Sequence, residues 1–229
     1  MWVGVCYMLR FNPLLDSFPT TYEGYSIQTD FRVGILISML FDNENVSEDE
    51  KKYGALLLLY GDNESIPTNI ELAWNGVVWF MNLGFNKCIN IDKTTNKNTN
   101  TEKTQNDIFN LVNDNDLVDD KIFDFDFDSS RVYTGFLRTY GVDLSVEKLH
   151  FFKFMFMLSD LENDTSYNKV IEIRQTSLSG KKGDELRKWN ELKQKYNLPA
   201  NKAKSDKKER EFLKSIGMSD ENIAKVWKL

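Results

Sequence analysis

The strongest chemical pattern in this chain is the run Phe123-Asp124-Phe125-Asp126-Phe127-Asp128, in which carboxylates alternate with aromatic rings. Aspartates at alternate positions open an EF-hand loop, where hard oxygen ligands turn toward one calcium ion. Counted from Asp124, however, the sixth position is Ser129, where the sharp turn needs glycine, and the twelfth is Gly135, where a bidentate acid should complete the ligand set. The run is therefore read as a short strand or extended arm, phenylalanines on one side and carboxylates on the other, ending at Asp128 or Ser129 as the cap of the next helix. His150 is the only histidine. No nucleophile elbow surrounds any serine, and the histidine falls in an aromatic helix, so a structural or surface hydrogen bond is expected of it rather than catalysis. Cys6 and Cys88 read as reduced thiols of a cytosolic protein, since a zinc site would need a local cluster of Cys and His. Ser179-Gly180-Lys181-Lys182-Gly183 lacks the leading glycine and the Ser/Thr of a phosphate loop, and no Gly-x-Gly-x-x-Gly occurs. No catalytic, cofactor-binding or metal residue is assigned, and no enzymatic role is expected.

The elements that must position these residues read as helices. The chain has 229 residues, 41% of them apolar, and its 12 glycines and 4 prolines are too few for a turn-dense β architecture. Ile27, Phe31, Ile35 and Met39 repeat every four residues behind Thr29 and Asp30 as cap candidates. With Val33, Leu36, Ile37 and Leu40 on the other faces, this helix should be buried nearly all round. Ser47-Glu48-Asp49-Glu50 is a capping box ahead of a Tyr53, Leu56, Leu57, Tyr60 stripe that Gly61 ends. Pro67 to Glu71 opens a helix with Ile70, Ala73, Trp74, Val77, Val78 and Met81 on one face and Gly84 as terminator. Trp74 and Trp79 stand roughly 140° apart on it, which leaves one of them a candidate for exposure. Further helices carry Val132 to Tyr140, then an almost wholly apolar stretch from Ser145 as cap to Leu158, then Tyr167 to Arg174 behind Thr165.

Charge locates a boundary. Residues 179–229 hold 14 basic and 8 acidic side chains, against 15 basic and 27 acidic before them. Between Lys87 and Asn106, 14 of 20 residues are Asn, Thr or Lys, a composition that cannot bury enough surface to offset its ordering entropy. The expected organisation is all-α: an N-terminal helical part over 1–86 with a short extended N-terminal segment, a flexible loop over 87–120, a central helical part over 121–178 sharing the same core, and a basic helical extension over 179–229. No apolar run approaches the roughly 18 to 20 residues of a membrane span, and no basic residue precedes the apolar start, so neither an anchor nor a signal peptide is expected. A chain starting at Met8 is expected to fold normally.

Several strings carry a resemblance. Val132-Tyr133-Thr134-Gly135-Phe136-Leu137-Arg138-Thr139-Tyr140-Gly141-Val142-Asp143-Leu144, then Leu149 to Phe154, Thr165 and Ile171-Glu172-Ile173-Arg174, with Thr29-Asp30-Phe31-Arg32 upstream, resemble the "gene product fifteen" tail-assembly family of long-tailed bacteriophages. The resemblance spans roughly residues 8 to 198. Where the family typically shows paired tryptophans after its histidine, this chain has Phe151 and Phe152. The resemblance implies a protein of the host bacterial cytoplasm similar to tail assembly chaperones, which bind and shield the tape measure protein before tube polymerisation. It implies no catalysis and no cofactor. A companion chaperone or self-association are further partners of that setting. An apolar groove for a partner helix would suit such a role, with Trp79, Phe152, Phe154, Trp189 and Trp227 as candidate partner-binding residues.

Two alternatives belong to other classes. The chain could be a structural component of the finished tail. It could also be a nucleic-acid-binding accessory protein acting through its Lys-rich extension, where helices with Leu186, Trp189, Leu192 and Tyr196 and with Ile223, Val226 and Trp227 interleave aromatics and bases. The net charge of −6 and the acids mixed among those bases weigh against nucleic acid.

Overall fold

A computed structural model describes residues 11–84 and 121–202, with isolated positions as far as 218. These residues are mostly helical, as expected. Two two-residue strands, β1 (Thr21–Tyr22) and β2 (Tyr25–Ser26), pair antiparallel around Glu23 and Gly24, both at positive φ as a tight hairpin requires. The helices are α1 (Phe31–Asp42), α2 (Glu48–Tyr60), α3 (Ile70–Met81), α4 (Ser129–Tyr140), α5 (Phe151–Ser159), α6 (Ser166–Gln175) and α7 (Gly183–Tyr196). The segment 87–120 expected as a loop, Cys6, Cys88 and the expected last helix with Trp227 lie outside the described residues.

Two compact units divide the described chain. The first takes 11–84 and 132–162, the second 121–131 and 163 onward, so the backbone enters each unit twice. Residues 121–178, expected as one central part, contribute to both.

In the first unit, α1 and α5 begin against each other. Asp30 and His150 form an isolated antiparallel bridge, in which the Phe31 amide donates to the Leu149 carbonyl at 2.9 Å and the Phe151 amide to the Thr29 carbonyl at 2.8 Å. The first amide of each helix would otherwise lack a partner, and here each is satisfied by the chain entering the other. Arg32 extends the tie, donating to the Leu144 carbonyl at 2.7 Å while its guanidinium stays on Asp30. The helix expected from Ser145 therefore starts later, at Phe151. Asp143 captures both the Ser145 amide at 2.9 Å and its hydroxyl at 2.6 Å, a local turn that competes with helix.

Helix boundaries elsewhere follow their chemistry. Asp30 and Asn69 accept amides as caps, Ser47 and Glu50 form the reciprocal box, and Gly61 at φ +93 closes α2 in a conformation that favours glycine. The buried stripes are rotated from the expected ones. In α1 the core side is Phe31, Gly34, Ile37 and Ser38, while Leu36 is 48% exposed, so this helix is not buried all round. In α2, Ala55, Leu56, Leu59 and Tyr60 face inward and Tyr53 faces out to donate to Asn63. The Tyr60 hydroxyl donates to the Ala73 carbonyl of α3, and burial beside Tyr22 and Tyr25 pushes its phenol up to about 12.

Aromatic rings fill the space between α1, α3, α4 and α5. Phe154 stacks on Phe31 at 4.8 Å and on Phe136 at 5.0 Å, and Phe151 stacks on Phe80 at 5.0 Å. Gly34 lies where a Cβ would strike the Phe151 ring, itself backed by Phe80. Gly54 differs, since a Cβ there would meet only the Leu40 Cδ2 at 2.8 Å, the end of a half-buried flexible chain. In helix interiors Gly→Ala is ordinarily favoured by about 1 kcal/mol. Gly34→Ala is expected to reverse that sign and destabilise the protein by about 1 to 3 kcal/mol, whereas Gly54→Ala stays neutral or stabilises. Urea unfolding of both variants checks the contrast.

Candidate interaction surface

The alternating Phe/Asp run lies in the second unit and is not an extended arm. The Asp124 carboxylate accepts the amides of Asp126 and Phe127, both at 2.9 Å, and this bends the chain into turns before α4. Phe123 and Phe125 are buried and Phe127 is largely exposed, so the three rings do not share a side. Asp128 is 1% exposed and faces arginine rather than a metal ion. Arg174 donates to its two oxygens at 2.6 and 3.0 Å, and Arg131 adds a bond at 2.9 Å. The same guanidinium also donates to the carbonyls of Ile122 at 2.8 Å and Tyr196 at 2.7 Å. It thereby joins three stretches of the unit. Burial, with the Asp128 charge added, pushes the neighbouring Tyr167 phenol up. Asp124, paired with Lys121 and holding those two amides, has its carboxyl held below the ordinary range against the opposing effect of burial.

His150 is the cap of α5 rather than a residue within it. The Phe152 amide donates to Nδ1 at 3.1 Å, so the hydrogen sits on Nε2, which donates to the Pro19 carbonyl at 2.8 Å. The ring also stacks on Phe18 at 5.0 Å. Burial lowers its pKa despite the Pro19 carbonyl, which pulls the other way. Both nitrogens are committed to backbone, the structural role expected of it.

The candidate partner-binding residues separate into different environments. Phe152 and Phe154 are both 0% exposed and are corrected to core residues: the enclosing rings are Phe11, Trp79 and Phe80 around Phe152, and Phe31 and Phe136 around Phe154. Trp79, the first candidate for an exposed aromatic, is half-buried between Tyr22 at 5.1 Å and Phe152 at 5.6 Å. Trp189 is half-buried on α7 beneath the Lys181 ammonium, 4.8 Å from its ring. Trp227 lies outside the described residues.

Trp74 completes a surface that the helical stripe concealed. Ile70, Trp74 and Val78 follow one another at four-residue spacing along α3, with Ile70 61% exposed, Val78 also exposed and Trp74 half-buried beside Phe41. Spacing groups them with Ala73, Val77 and Met81 on one face, but only those last three are buried. The buried side is centred on Phe80, Ala73 and Gly76, where α3 meets Tyr60 and Tyr22, and Trp74 and Val78 lie off the edge of that side. In the second unit an open groove of about 680 Å³ along α6 is lined by Asn163, Asn168, Ile171, Glu172, Gln175 and Thr176, whose hydroxyl donates to the Glu172 carbonyl at 2.7 Å.

Together these features define a helical protein with an aromatic core and an outward apolar helix face, and among the described residues no helix is long and apolar enough to cross a membrane. A family model described as Bacteriophage Gp15 protein matches residues 11–198. The chain belongs to that family and is a phage protein, as the strings around residues 133 to 174 implied. No curated protein and no solved structure matches it.

Two outcomes follow from the buried polar groups. Asp128→Asn, which leaves the Arg174 guanidinium buried without its counter-charge, is expected to cost about 3 to 5 kcal/mol in urea unfolding, more than an exposed ion pair is worth. For His150 the folded pKa lies below the ordinary value, so the unfolded chain binds the extra proton in that interval. The stability contribution is full above about pH 6.5 and is lost as pH falls through the folded value. His150→Asn keeps a capping side chain that does not titrate. Unfolding midpoints between about pH 7 and 5 should therefore fall more steeply for the native chain than for this variant.

Proposed function

We propose that this phage protein is a tail assembly chaperone that binds the tape measure protein in the host cytoplasm and shields it until the tail tube polymerises. The observation that carries the reading is the Ile70, Trp74, Val78 edge of α3, apolar, aromatic at its centre and partly open to solvent. Three anchors at helical spacing suit one amphipathic helix of a partner laid along them, the recognition mode in which an apolar stripe meets an apolar face. Family membership supports the setting, and the resemblance to tail assembly chaperones supplies the partner. The reading needs neither catalysis nor a cofactor. In keeping with it, the sole histidine is committed to capping and Asp128 to arginines.

The test is co-purification with the tape measure protein from cells expressing both, beside circular dichroism of each variant. Trp74→Ala is expected to stay folded and to weaken association on the order of thirtyfold, the size of a hot spot worth about 2 kcal/mol. Trp79→Ala, wedged against Phe152, should instead lower thermal stability. Undiminished binding by folded Trp74→Ala would remove the α3 face from the account. Stoichiometric retention of the chain in purified virions would favour a structural tail component instead.

A further inference from the structure

Helix α7 is amphipathic, yet its apolar side is incompletely covered. Leu186, Trp189, Leu192 and Tyr196 fall on one side of it, each only half-buried, and no residue of the helix is fully buried. Packing on α6 is fixed near its C-terminal end, where the Lys193 ammonium donates to the Arg174 carbonyl at 2.9 Å. At about 100° per residue, exposed Lys188 and Lys195, one heptad apart, border the stripe on its Leu192 edge. A half-open aliphatic and indole stripe edged by lysine fits a partner that is itself apolar and acidic.

The same chain carries such a partner. Residues 1–178 hold 27 acidic against 15 basic side chains, while the part containing α7 holds 14 basic against 8 acidic. Leu36, Met39 and Tyr53, none of them on α3, stand exposed on the acidic part. Each copy thus supplies an amphipathic helix edged by Lys188 and Lys195 and an acidic helical body in equal amounts.

We propose that α7 of one copy docks on the acidic helical body of a second copy. The two surfaces differ, and the contact is heterologous: a copy that donates its helix receives none back from the same partner and leaves its own body free to accept another. Association then runs head to tail, closing as a ring or continuing as a filament. Unlike charge steers the encounter and burial of Leu186, Trp189 and Leu192 holds it, so salt weakens the assembly.

The experiment is size-exclusion chromatography with light scattering on the full chain across a range of concentrations. At low salt the mass should climb with concentration past that of a dimer. At about 1 M salt, where the screening length is about 3 Å, it should return to the 26.7 kDa of one chain. The double variant Lys188→Glu/Lys195→Glu, altered at two exposed positions and checked for unchanged circular dichroism, should remain monomeric at low salt. Mixed with the native chain it should shorten the assemblies, since it accepts a helix but does not donate one. A monomer at every concentration, a dimer that stops at two copies, assembly that ignores salt, or a charge-reversed variant that assembles like the native chain would each overturn the proposal.

Discussion

Two helix beginnings hydrogen-bonded to each other organise the first unit. The Asp30 to His150 bridge satisfies the leading amides of α1 and α5 each from the segment entering the other helix, and it places Phe31 and Phe151 side by side as the first residue of each helix. From there the register of the core follows. With α5 started at Phe151, Phe154 reaches both Phe31 and Phe136, and Phe151 meets Phe80 over Gly34. A start one turn earlier would carry different residues into those rings. The cap chemistry is therefore also the packing chemistry, which explains why a histidine occupies it: a ring can accept an amide through Nδ1, donate to Pro19 through Nε2 and stack on Phe18.

The second unit solves the same problem with charge. Its two stretches of chain are separated by residues of the first unit, and Arg174 gathers them by donating to Ile122, Asp128 and Tyr196. Asn201 adds a second tie, exchanging hydrogen bonds with the Lys121 backbone at 2.6 and 2.7 Å. Fully satisfied buried polar groups of this kind specify one arrangement, because any slip leaves a desolvated charge. Both ties are therefore long-range and polar, while the energy of cohesion comes from the rings and aliphatic side chains around them.

Much of this was legible in the chain, and the limits have physical causes. Helix beginnings at Asp30, Ser47 and Thr165 and the ending at Gly61 could be read because caps are local chemistry. The start of α5 could not, because Ser145 is the better local cap and is diverted by Asp143, while the bridge that selects His150 involves a distant segment. The Phe/Asp alternation misled for a related reason, two amides bound by Asp124 outweighing the preference of alternating rings for a strand. Periodicity named the apolar residues of α3 but not which edge faced solvent, since Ile70, Trp74 and Val78 are no less apolar than Ala73 and Val77. The available signal was Gly76, the small residue at which Tyr60 and Tyr22 approach the helix and which marks its core side. Asp128 as a partner of Arg174 had no signal in spacing at all.

The interleaving of the two units sets the order in which a ribosome can deliver them. Phe31, Phe80 and the rest of α1 to α3 leave the exit tunnel well before α5, yet the rings that cover them are Phe151, Phe152 and Phe154. At about 5 to 20 residues per second the interval between Asp30 and His150 is on the order of ten seconds. Through that time the nascent chain presents apolar helices with no α5 to receive them, and the second unit waits longer still, until Tyr196 and Asn201 arrive to meet Arg174 and Lys121. A message cut short before His150 would yield a polypeptide with its ring cluster permanently open, so intact synthesis and nascent-chain protection are built into what this fold asks of its host.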